Sequence, residues 1–402
     1  MDVNDMKVAE RTKKIKPSPT LAISAKANRM RAEGINVLSF GAGEPDFDTP
    51  GNIKEAAIRA IEEGFTKYTA VEGIDELKTA IIDKFRKDNN LSYEKSQIVV
   101  SCGAKHSLYN ITQALFEKGD EVIIPAPYWV SYLDMVLLTD ATPVVIETDE
   151  DGGFKITATQ LENAITGATR ALILNSPSNP TGAVYSHNEL TSLAEVLAGK
   201  DIVIISDDIY EKILYHDSSF CNIAGINDEI RSKTIVVNGV SKTYAMTGWR
   251  IGYAAGPAEV ISEVVKIQSQ NTSNPTSIAQ KAAVEALLGD QQMTVHMVEE
   301  FRKRRDYIVC ALNAIHGIEC TNPTGAFYVF PRVSALFGKA AGGRTISDST
   351  ALSAYLLDEV QVAVVPGSAF GSDGHIRLSY ATSMETIREG IERIGKALRA
   401  LA

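Results

Sequence analysis

A lysine and an arginine that lie eight residues apart have the clearest chemical potential in this 402-residue chain. Both lie in a Gly/Ser turn after the hydrophobic run 234–237, where Ser241 and Lys242 are followed by Arg250. A lysine amine attacks an aldehyde only when it is deprotonated, and a fixed cation nearby lowers its pKa. A guanidinium can also hold a phosphate. Either residue alone could be an ordinary loop residue, but together they suggest a pyridoxal phosphate site, in which a lysine forms a Schiff base.

Three residues in two other segments could bind the ring of such a cofactor. Asp207 follows the apolar run 202–206, and its carboxylate could pair with the protonated ring nitrogen, which makes the ring an electron sink. Tyr210 follows in the next turn and could reach the ring's phenolate oxygen, as could Asn179. Taken singly, these residues could instead be a helix-capping aspartate, a packed tyrosine and part of an Asn-Pro turn.

The phosphate and the substrate need further groups. Gly103-Ala104-Lys105 follows a β-like run and opens a helical segment, which provides backbone N–H groups for a phosphate. The sequence contains no G-x-x-x-x-G-K-[ST] or G-x-G-x-x-G motif, which disfavours a nucleotide site. Trp129 could stack on the pyridine ring or pack in the core. Arg377 is flanked by apolar residues, so we expect a buried guanidinium that could hold an α-carboxylate.

Composition and charge limit the class of protein. A formal net charge of −10 and a pI of about 5.3 disfavour nucleic acid as a partner. No apolar stretch approaches the ~18 residues of a membrane span, and the N-terminal segment lacks the apolar part of a signal peptide. The cysteines form no C-x-x-C pair and the histidines are scattered, which argues against a structural metal. We therefore expect a cytoplasmic, metal-free protein that binds neither nucleic acid nor membrane.

Short β-rich runs alternate with amphipathic helical segments over much of the chain. The runs are 97–101, 121–125, 143–147, 170–175, 201–206, 234–238 and 251–255. Ile53, Ala57 and Ile61 mark the expected apolar face of one helix. The alternation predicts an α/β protein whose mostly parallel sheet is covered on both faces, and such sheets bind ligands at the carboxyl ends of their strands.

The pattern changes after about residue 293, where a long charged helix is followed by short mixed elements. We predict that this tail joins the N-terminal segment in a smaller α+β domain made of residues 1–48 and 293–402. Residues 49–292 would form the larger, cofactor-binding domain. The chain length also favours two domains.

Five ordered segments resemble the class I aminotransferases, which are fold-type I pyridoxal phosphate enzymes. The segments are 43–47, 175–182, 206–210, 241–252 and 377–379. The similarity covers nearly the whole chain and is closest to the bacterial aspartate aminotransferases of subgroup Ib. It implies the fold of that family, with a mostly parallel seven-stranded sheet flanked by helices.

The resemblance implies that Lys242 binds the cofactor covalently and shuttles the proton, helped by Asp207 and Tyr210. The other residues that would hold the ring, its oxygen and the phosphate are Asn179, Trp129, Gly103, Ala104, Lys105, Ser241 and Arg250. Tyr68 would reach the phosphate in the neighbouring subunit, which implies a homodimer with shared active sites.

The resemblance also implies the substrate site. Gly43 and Arg377 would meet the α-carboxylate, beside Trp129 and Asn179, and the distal carboxylate would meet Lys16, Ser18, Thr20 and Lys105. We expect transamination between L-aspartate and 2-oxoglutarate, giving oxaloacetate and L-glutamate, with prephenate as an additional amino acceptor that gives arogenate. Aromatic or alanine-type substrates, or carbon–sulfur elimination on the same fold, are the alternatives.

Two positions depart from the family pattern. Relatives often have Gly-Gly-Lys where this chain has Gly103-Ala104-Lys105, and Asp-Glu where it has Asp207-Asp208. The first departure adds a methyl group near the phosphate turn and the second shortens a flanking acid, so we expect the same chemistry. A serine hydrolase is disfavoured because Thr243 replaces the second glycine of the G-x-S-x-G pattern.

Overall fold

The structure is a computed structural model that describes residues 7–15, 17, 19–215, 219–341 and 343–401. Its strands, numbered in chain order, are β1 (Leu38–Ser39), β2 (Ile98–Ser101), β3 (Glu121–Pro125), β4 (Thr142–Ile146), β5 (Thr169–Asn175), β6 (Val203–Asp207), β7 (Thr234–Gly239), β8 (Gly252–Ala255), β9 (Tyr328–Val329), β10 (Ala340–Ala341), β11 (Arg344–Thr345), β12 (Val362–Ala363), β13 (Val365–Pro366) and β14 (Ile376–Ser379). Its α-helices are α1 (Pro19–Ala32), α2 (Gly51–Glu62), α3 (Asp75–Asn89), α4 (Ala104–Leu115), α5 (Ser131–Leu137), α6 (Ala158–Ala164), α7 (His187–Leu197), α8 (Asp228–Ser232), α9 (Ala258–Asn271), α10 (Ser277–Leu288), α11 (Gln292–Asn313), α12 (Ser349–Val360) and α13 (Met384–Arg399).

Among the described residues, seven strands form the central sheet, in the order β2-β8-β7-β6-β5-β3-β4. Strand β8 runs antiparallel to β2 and β7, and the other neighbours are parallel. The predicted mostly parallel, seven-stranded sheet is therefore confirmed, and each predicted β-rich run overlaps one of these strands. The runs were recognisable because strands that are buried on both faces are rich in valine, isoleucine and leucine.

Helices cover both faces of this sheet. Alternate residues of β5 show the arrangement, because Ala171 and Ile173 pack with α4, α5 and α9, whereas Leu172 and Leu174 pack with α6 and α7. Helices α2, α3 and α10 pack with β2 and β8. In the described part of the chain, no helix combines the length and the apolar character that crossing a membrane requires.

The apolar face of α2 differs from the prediction at one position. Its buried residues are Ile53, Ala56, Ala57 and Ala60, whereas Ile61 is 52% exposed. A spacing of four residues overshoots one helical turn, so two such steps drift about 80° around the helix and carry Ile61 off the buried face. The prediction that Ile61 lies on that face was wrong for this reason.

A second core joins the two ends of the chain. Strand β1 pairs in parallel with β12, and Leu38 and Phe40 pack in one cluster with Phe301 of α11 and Ile387 of α13. The same region contains the antiparallel sheet β13-β14-β9. The N-terminal and C-terminal parts of the chain thus share one core, whose limits at residues 48 and 293 stay a prediction.

The carboxyl ends of β5, β6 and β7 lie at one edge of the central sheet. Asn175 pairs with Asp207, and Asp207 pairs with Val237. Because β8 is antiparallel, it begins at this edge, with Gly252 opposite Gly239. The segments that follow β5, β6 and β7 and precede β8 are therefore brought together where α/β sheets bind ligands.

Candidate active site

A cavity of about 300 Å³ lies at this edge of the central sheet. Its volume is in the range of small-molecule sites. The predicted site residues that line it are Gly43, Ala104, Lys105, Trp129, Asn179, Asp207, Tyr210, Ser241, Lys242, Arg250 and Arg377. The fold thus brings most of the predicted site to one place from segments that are far apart in sequence.

Lys242 lies in the connection between β7 and β8, and its amine donates a hydrogen bond to the carbonyl oxygen of Gly43. Burial lowers the pKa of Lys242 to about 8, and the guanidinium groups of Arg250 and Arg377 act in the same direction, while two nearby carboxylates oppose them. The predicted effect of a neighbouring arginine is therefore present, but burial is the larger cause. A neutral amine is the form that attacks a carbonyl carbon.

Asp207 is the last residue of β6 and is buried. Its Oδ2 accepts a hydrogen bond from the hydroxyl of Tyr132 at 2.6 Å, and its Oδ1 accepts one from the N–H of Ile209 at 3.3 Å. Burial raises the pKa of Asp207 to about 6, against the opposing effect of the Tyr132 hydrogen bond. A carboxylate that is buried among neutral donors is stabilised by a cation placed beside it.

Two side chains on neighbouring turns present polar groups beside Asp207. The hydroxyl of Tyr210 lies 2.8 Å from that of Tyr328. Asn179 is held by its N–H, which donates to Oδ1 of Asn175 at 2.8 Å, while the Asn175 amide donates to the carbonyl oxygen of Asp207 at 2.8 Å. The cavity therefore has hydroxyl and amide groups that can donate to an oxygen anion.

Two glycines allow the start of α4 to pack closely. Gly103 caps this helix with a φ of 93°, and a Cβ atom there would lie 2.3 Å from Nη2 of Arg250. A Cβ atom at Gly252 would lie 2.1 Å from the backbone nitrogen of Ala104. Glycine is needed at both positions, whereas the methyl group of Ala104 is accommodated at the cavity wall.

The start of α4 lies at one corner of the cavity with Arg250 and Ser241, and these groups could bind an anion. Arg250 adopts the left-handed conformation, with a φ of 57°, and donates to the carbonyl oxygens of Thr247 at 2.8 Å and Cys102 at 3.1 Å. Ser241 also lines the cavity. A helix N-terminus, a guanidinium and a hydroxyl are the groups that bind phosphate in proteins.

Trp129 and Lys105 lie on one side of the cavity. The Lys105 amine lies 5.1 Å from the centroid of the Trp129 ring, and the edge of Trp129 meets Tyr132 with the ring centroids 5.3 Å apart. Burial lowers the pKa of Lys105, and Arg250 adds to this effect. The arrangement offers an aromatic face and a cation to a bound molecule.

Arg377 lies on β14 and is buried. Its guanidinium lies between the rings of Tyr328 and Phe370, 4.6 Å and 5.1 Å from their centroids. Nη1 donates to Oδ1 of Asn179 at 3.0 Å and Nη2 to the carbonyl oxygen of Gly41 at 2.7 Å, whereas Nε is buried and forms no hydrogen bond with the described residues. Because a buried donor without a partner is costly, Nε marks a place for an acceptor such as a carboxylate.

Some predicted residues are not placed in the cavity. Tyr68 is 91% exposed and lies outside it. Lys16 and Ser18 lie outside the described residues. Thr20 belongs to α1, but its side chain is likewise outside what the structure describes.

Several lining residues were missed by the sequence analysis. Tyr132 and Tyr328 contact the predicted Asp207, Tyr210 and Arg377 directly. Tyr132 lies three residues after Trp129, in the turn that leads into α5, and the two rings meet, so this spacing was an available signal. Tyr328 had no comparable signal because its contacts come from strand pairing with a distant segment.

Comparison with known proteins identifies the family. Residues 35–394 match the model of the family described as aminotransferase class I and II. The chain is 52% identical over 396 residues to the aspartate/prephenate aminotransferase of Nitrosomonas europaea, covering 98% of this chain and 100% of the relative. It is 49% identical over 392 residues to the aspartate aminotransferase of Bacillus sp. (strain YM-2), covering 98% of this chain and 99% of the relative.

Solved structures give the same result. The aspartate aminotransferase from Rhizobium meliloti superposes with a TM-score of 0.96 at 48% identity, covering 99% of this chain and 100% of that one. The aspartate aminotransferase from Thermus thermophilus with maleate superposes with a TM-score of 0.91 at 41% identity, covering 98% of this chain and 100% of that one. The chain therefore belongs to the class I and II aminotransferases.

Proposed function

We propose that this protein is a pyridoxal phosphate-dependent aminotransferase that moves an amino group between L-aspartate and 2-oxoglutarate, giving oxaloacetate and L-glutamate. Prephenate is proposed as a further amino acceptor, giving arogenate. The observation that carries the reaction class is the amine of Lys242 in one cavity with the buried carboxylate of Asp207 and the corner at Arg250 that could bind an anion. The choice of substrates is supported by relatives about 50% identical that are named aspartate/prephenate aminotransferases.

The residues of the cavity fit the proposed cofactor. Lys242 would hold it covalently, the buried Asp207 would meet the ring nitrogen, and Tyr210 with Asn179 would meet the ring oxygen. The phosphate would lie against the start of α4, where Gly103, Ala104, Lys105, Ser241 and Arg250 gather, and Trp129 would stack on the ring. The surroundings of Asp207 support this fit, because its carboxylate is buried, accepts hydrogen bonds from neutral donors and has its pKa raised to about 6, so a cation placed beside it would be stabilised.

When bound, pyridoxal phosphate supplies the electron sink that stabilises negative charge at the α-carbon of the amino acid. The chain's own residues supply the rest. Nζ of Lys242, with its pKa lowered to about 8 by burial, can take the α-proton and return it. Asp207 keeps the ring nitrogen protonated, and Arg377 orients the substrate by its α-carboxylate.

The proposed substrate contacts divide by carboxylate. Arg377 would bind the α-carboxylate through its buried Nε–H and its remaining Nη–H groups, beside the backbone of Gly43. Lys105 would sense the distal carboxylate of aspartate, and Lys16, Ser18 and Thr20 remain proposed partners of the same group. The position of Lys105 over Trp129 supports its part of the assignment, because that amine lines the cavity.

We also propose that two copies of the chain form a homodimer in which Tyr68 completes the partner's phosphate site. The 91% exposure of Tyr68 supports this, since a tyrosine that exposes so much apolar surface to solvent commonly contacts a partner. Ile58 and Ile61 of α2 are 53% and 52% exposed as well. The cytoplasm is the proposed location, and the free state of Cys102, Cys221, Cys310 and Cys320 is compatible with a reducing compartment.

The division into a small domain of residues 1–48 and 293–402 and a large domain of residues 49–292 is part of the proposal. It is supported by the pairing of β1 with β12 and by the core that Leu38 and Phe40 share with α11 and α13. In this division the cavity takes Arg377 and Tyr328 from the small domain and Lys242 and Asp207 from the large one.

The test is a paired assay of the purified protein loaded with pyridoxal phosphate. We expect aspartate to be a better amino donor than alanine or phenylalanine, and 2-oxoglutarate and prephenate to act as acceptors. Borohydride reduction should fix the cofactor on the peptide that contains Lys242, as measured by mass spectrometry. Attachment to another lysine would contradict the site, a preference for aromatic or alanine donors would contradict the substrates, and release of pyruvate and a thiol from cystathionine would indicate a carbon–sulfur lyase instead.

A further inference from the structure

Arg377 and Tyr328 lie on one face of the sheet β13-β14-β9. In its register Ser379 pairs with Tyr328 and Leu378 with Val329, so Arg377 is a diagonal neighbour of Tyr328 on the same face. The opposite face carries Leu378 and Val329, which belong to the hydrophobic core. This alternation directs the guanidinium and the phenol ring toward each other, and the guanidinium lies 4.6 Å from the ring centroid.

The hydroxyl of Tyr328 points to a second functional group. It lies 2.8 Å from the hydroxyl of Tyr210, which follows β6 of the central sheet, and both side chains are buried. Each hydroxyl has one hydrogen to donate. If the hydrogen of Tyr210 is used on the ring oxygen of the cofactor, then Tyr328 must donate to the oxygen of Tyr210.

We propose that Tyr328 is a positioning residue that connects the carboxylate-binding arginine to the tyrosine that binds the cofactor's oxygen. Its ring holds the guanidinium of Arg377, and its hydroxyl donates to Tyr210 and directs the hydrogen of Tyr210 into the cavity. The inference rests on the proposed function, because it assigns a direction to a hydrogen bond that matters only with the cofactor bound.

The guanidinium of Arg377 acts on both hydroxyls. Burial raises the pKa of Tyr328, and Arg377 opposes the rise. Burial raises the pKa of Tyr210 well above its ordinary value, and Arg377 again opposes the rise while Tyr328 adds to it. The direction of donation therefore rests on the geometry, because the hydrogen of Tyr210 is free for the cofactor's oxygen only when Tyr328 donates to Tyr210.

The packing also restricts the position of the Tyr328 side chain. A Cβ atom at Gly43 would lie 3.2 Å from the Tyr328 hydroxyl oxygen, so the segment that accepts the Lys242 hydrogen bond closes over the hydroxyl. On its other side, the guanidinium of Arg377 is backed by Phe370. Tyr328 is therefore confined among Gly43, Tyr210 and Arg377.

The hydroxyl and the ring can be tested separately. Tyr328→Phe removes the hydroxyl and keeps the ring, whereas Tyr328→Leu removes both. Tyr380→Phe is a matched control, because the Tyr380 hydroxyl is buried and bonded to Tyr215 but does not line the cavity. Each variant is loaded with pyridoxal phosphate, its visible absorbance is titrated with pH, and its affinity for maleate is measured.

We expect Tyr328→Phe to move the midpoint of the absorbance titration to higher pH by about 0.3–1 pH unit, as the loss of one hydrogen bond would. The reason is that a weaker donor at Tyr210 leaves more negative charge on the cofactor's oxygen, which favours the protonated chromophore. Tyr210→Phe should give a larger shift in the same direction, and Tyr380→Phe should give none. The Tyr328→Phe affinity for maleate should stay within about twofold, and Tyr328→Leu should weaken it about tenfold or more.

A double variant gives the sharpest result. If the hydroxyl of Tyr328 acts through Tyr210, Tyr328→Phe should cause no further shift in a Tyr210→Phe background. An equal shift in both backgrounds, or no shift from Tyr328→Phe alone, would overturn the inference while leaving the proposed function intact. A wild-type protein that takes up no chromophore on Lys242 would instead overturn the proposed function, and the inference with it.

Discussion

Lys242 and Arg377 bring two cations to one cavity, but their surroundings differ. Among the residues that the structure describes, the amine of Lys242 donates to the carbonyl oxygen of Gly43, and burial lowers its pKa to about 8. Arg377 lies between two aromatic rings and donates to Asn179 and Gly41. The first environment favours loss of the proton, and the second holds a cation in a fixed direction.

The difference follows from the chemistry of the two side chains. A lysine amine changes its protonation state when burial removes water from it, so the fold can prepare it for attack on a carbonyl carbon. A guanidinium keeps its charge in proteins, so the same burial only makes it a stronger partner for a carboxylate. One cavity can therefore contain a lysine that loses its proton and an arginine that stays charged.

The largest effect is expected from replacing Lys242. Lys242→Arg keeps a positive charge but no longer provides an amine that can lose its proton, and Lys242→Ala removes both. Both variants should lose about 10³-fold or more in kcat, because charge alone cannot replace the proton shuttle. The measurement is single-turnover transamination, with Lys105→Ala as a control that should still bind the cofactor covalently. Activity of Lys242→Arg within tenfold of wild type would show that the reactive amine lies elsewhere.

A smaller effect is expected from Arg377. Arg377→Leu should lower kcat/KM for every amino donor, since all of them carry an α-carboxylate. The loss should correspond to a rise of at least about 2 kcal/mol in the activation free energy. Arg377→Lys should restore only part of the loss, because an ammonium lacks the planar fork that packs between the rings of Tyr328 and Phe370. Arg302→Leu is the control, because Arg302 lies on α11, pairs with Glu299 and does not line the cavity. A loss confined to dicarboxylic donors would mean that Arg377 reads the distal carboxylate instead.

Asp207 brings a buried negative charge to the same cavity. Its folded pKa of about 6 lies above the ordinary value of 3.8, so the protonated form favours folding, and this stability is lost as the pH rises from about 4 through 6. Asp207→Asn, which resembles the neutral form, should stabilise the cofactor-free protein by about 1–3 kcal/mol at pH 8. Thermal unfolding of both proteins at pH 8 and pH 4 checks this.

The control is the pH dependence itself. The gain from Asp207→Asn should shrink toward zero at pH 4, where Asp207 is also neutral. A gain of the same size at both pH values would mean that packing rather than charge causes it. The variant should still be a poor aminotransferase, because it cannot keep the ring nitrogen protonated.

The smallest effect is expected from Lys105, another cation at the cavity. Lys105→Ala should lower kcat/KM for aspartate relative to that for alanine. The change should correspond to about 1–3 kcal/mol of activation free energy, the value of one charged hydrogen bond. Cofactor affinity must be measured alongside, since Lys105 belongs to the turn that would hold the phosphate. An unchanged ratio would remove Lys105 from distal recognition.

The residues that we propose for the cofactor could be placed near one another from the sequence because they follow the ends of buried strands. Asp207 ends β6 and Lys242 follows β7, so local hydrophobic runs indicated where both would lie. Tyr328 could not be predicted for the opposite reason, since its contact with Arg377 depends on tertiary packing, whereas the spacing of Tyr132 from Trp129 was a signal in the sequence. Arg250 lowers the pKa of Lys242, as the sequence predicted, but the larger cause is burial, which is a property of the whole fold and cannot be seen in a short segment.

The outer face of α2 shows a further limit of sequence patterns. Ile61 was assigned to the buried face, but it is 52% exposed, and alanines at positions 56 and 60 line that face instead. A large apolar residue is a stronger signal than an alanine, although the helix geometry decides which of them is buried. The exposed isoleucine adjoins the segment that leads to Tyr68, so its exposure fits the proposed contact with a second copy.

The sheet β13-β14-β9 has a consequence for protein synthesis. β14, which carries Arg377, is the last strand of the described chain to be made, whereas the strands of the central sheet end by residue 255. A ribosome therefore finishes the segments that carry Lys242 and Asp207 well before the strand that carries Arg377. A chain truncated before β14 would keep the proposed cofactor lysine but lack the arginine that we propose for the α-carboxylate, so the proposed substrate contact is completed only in the final stretch of translation.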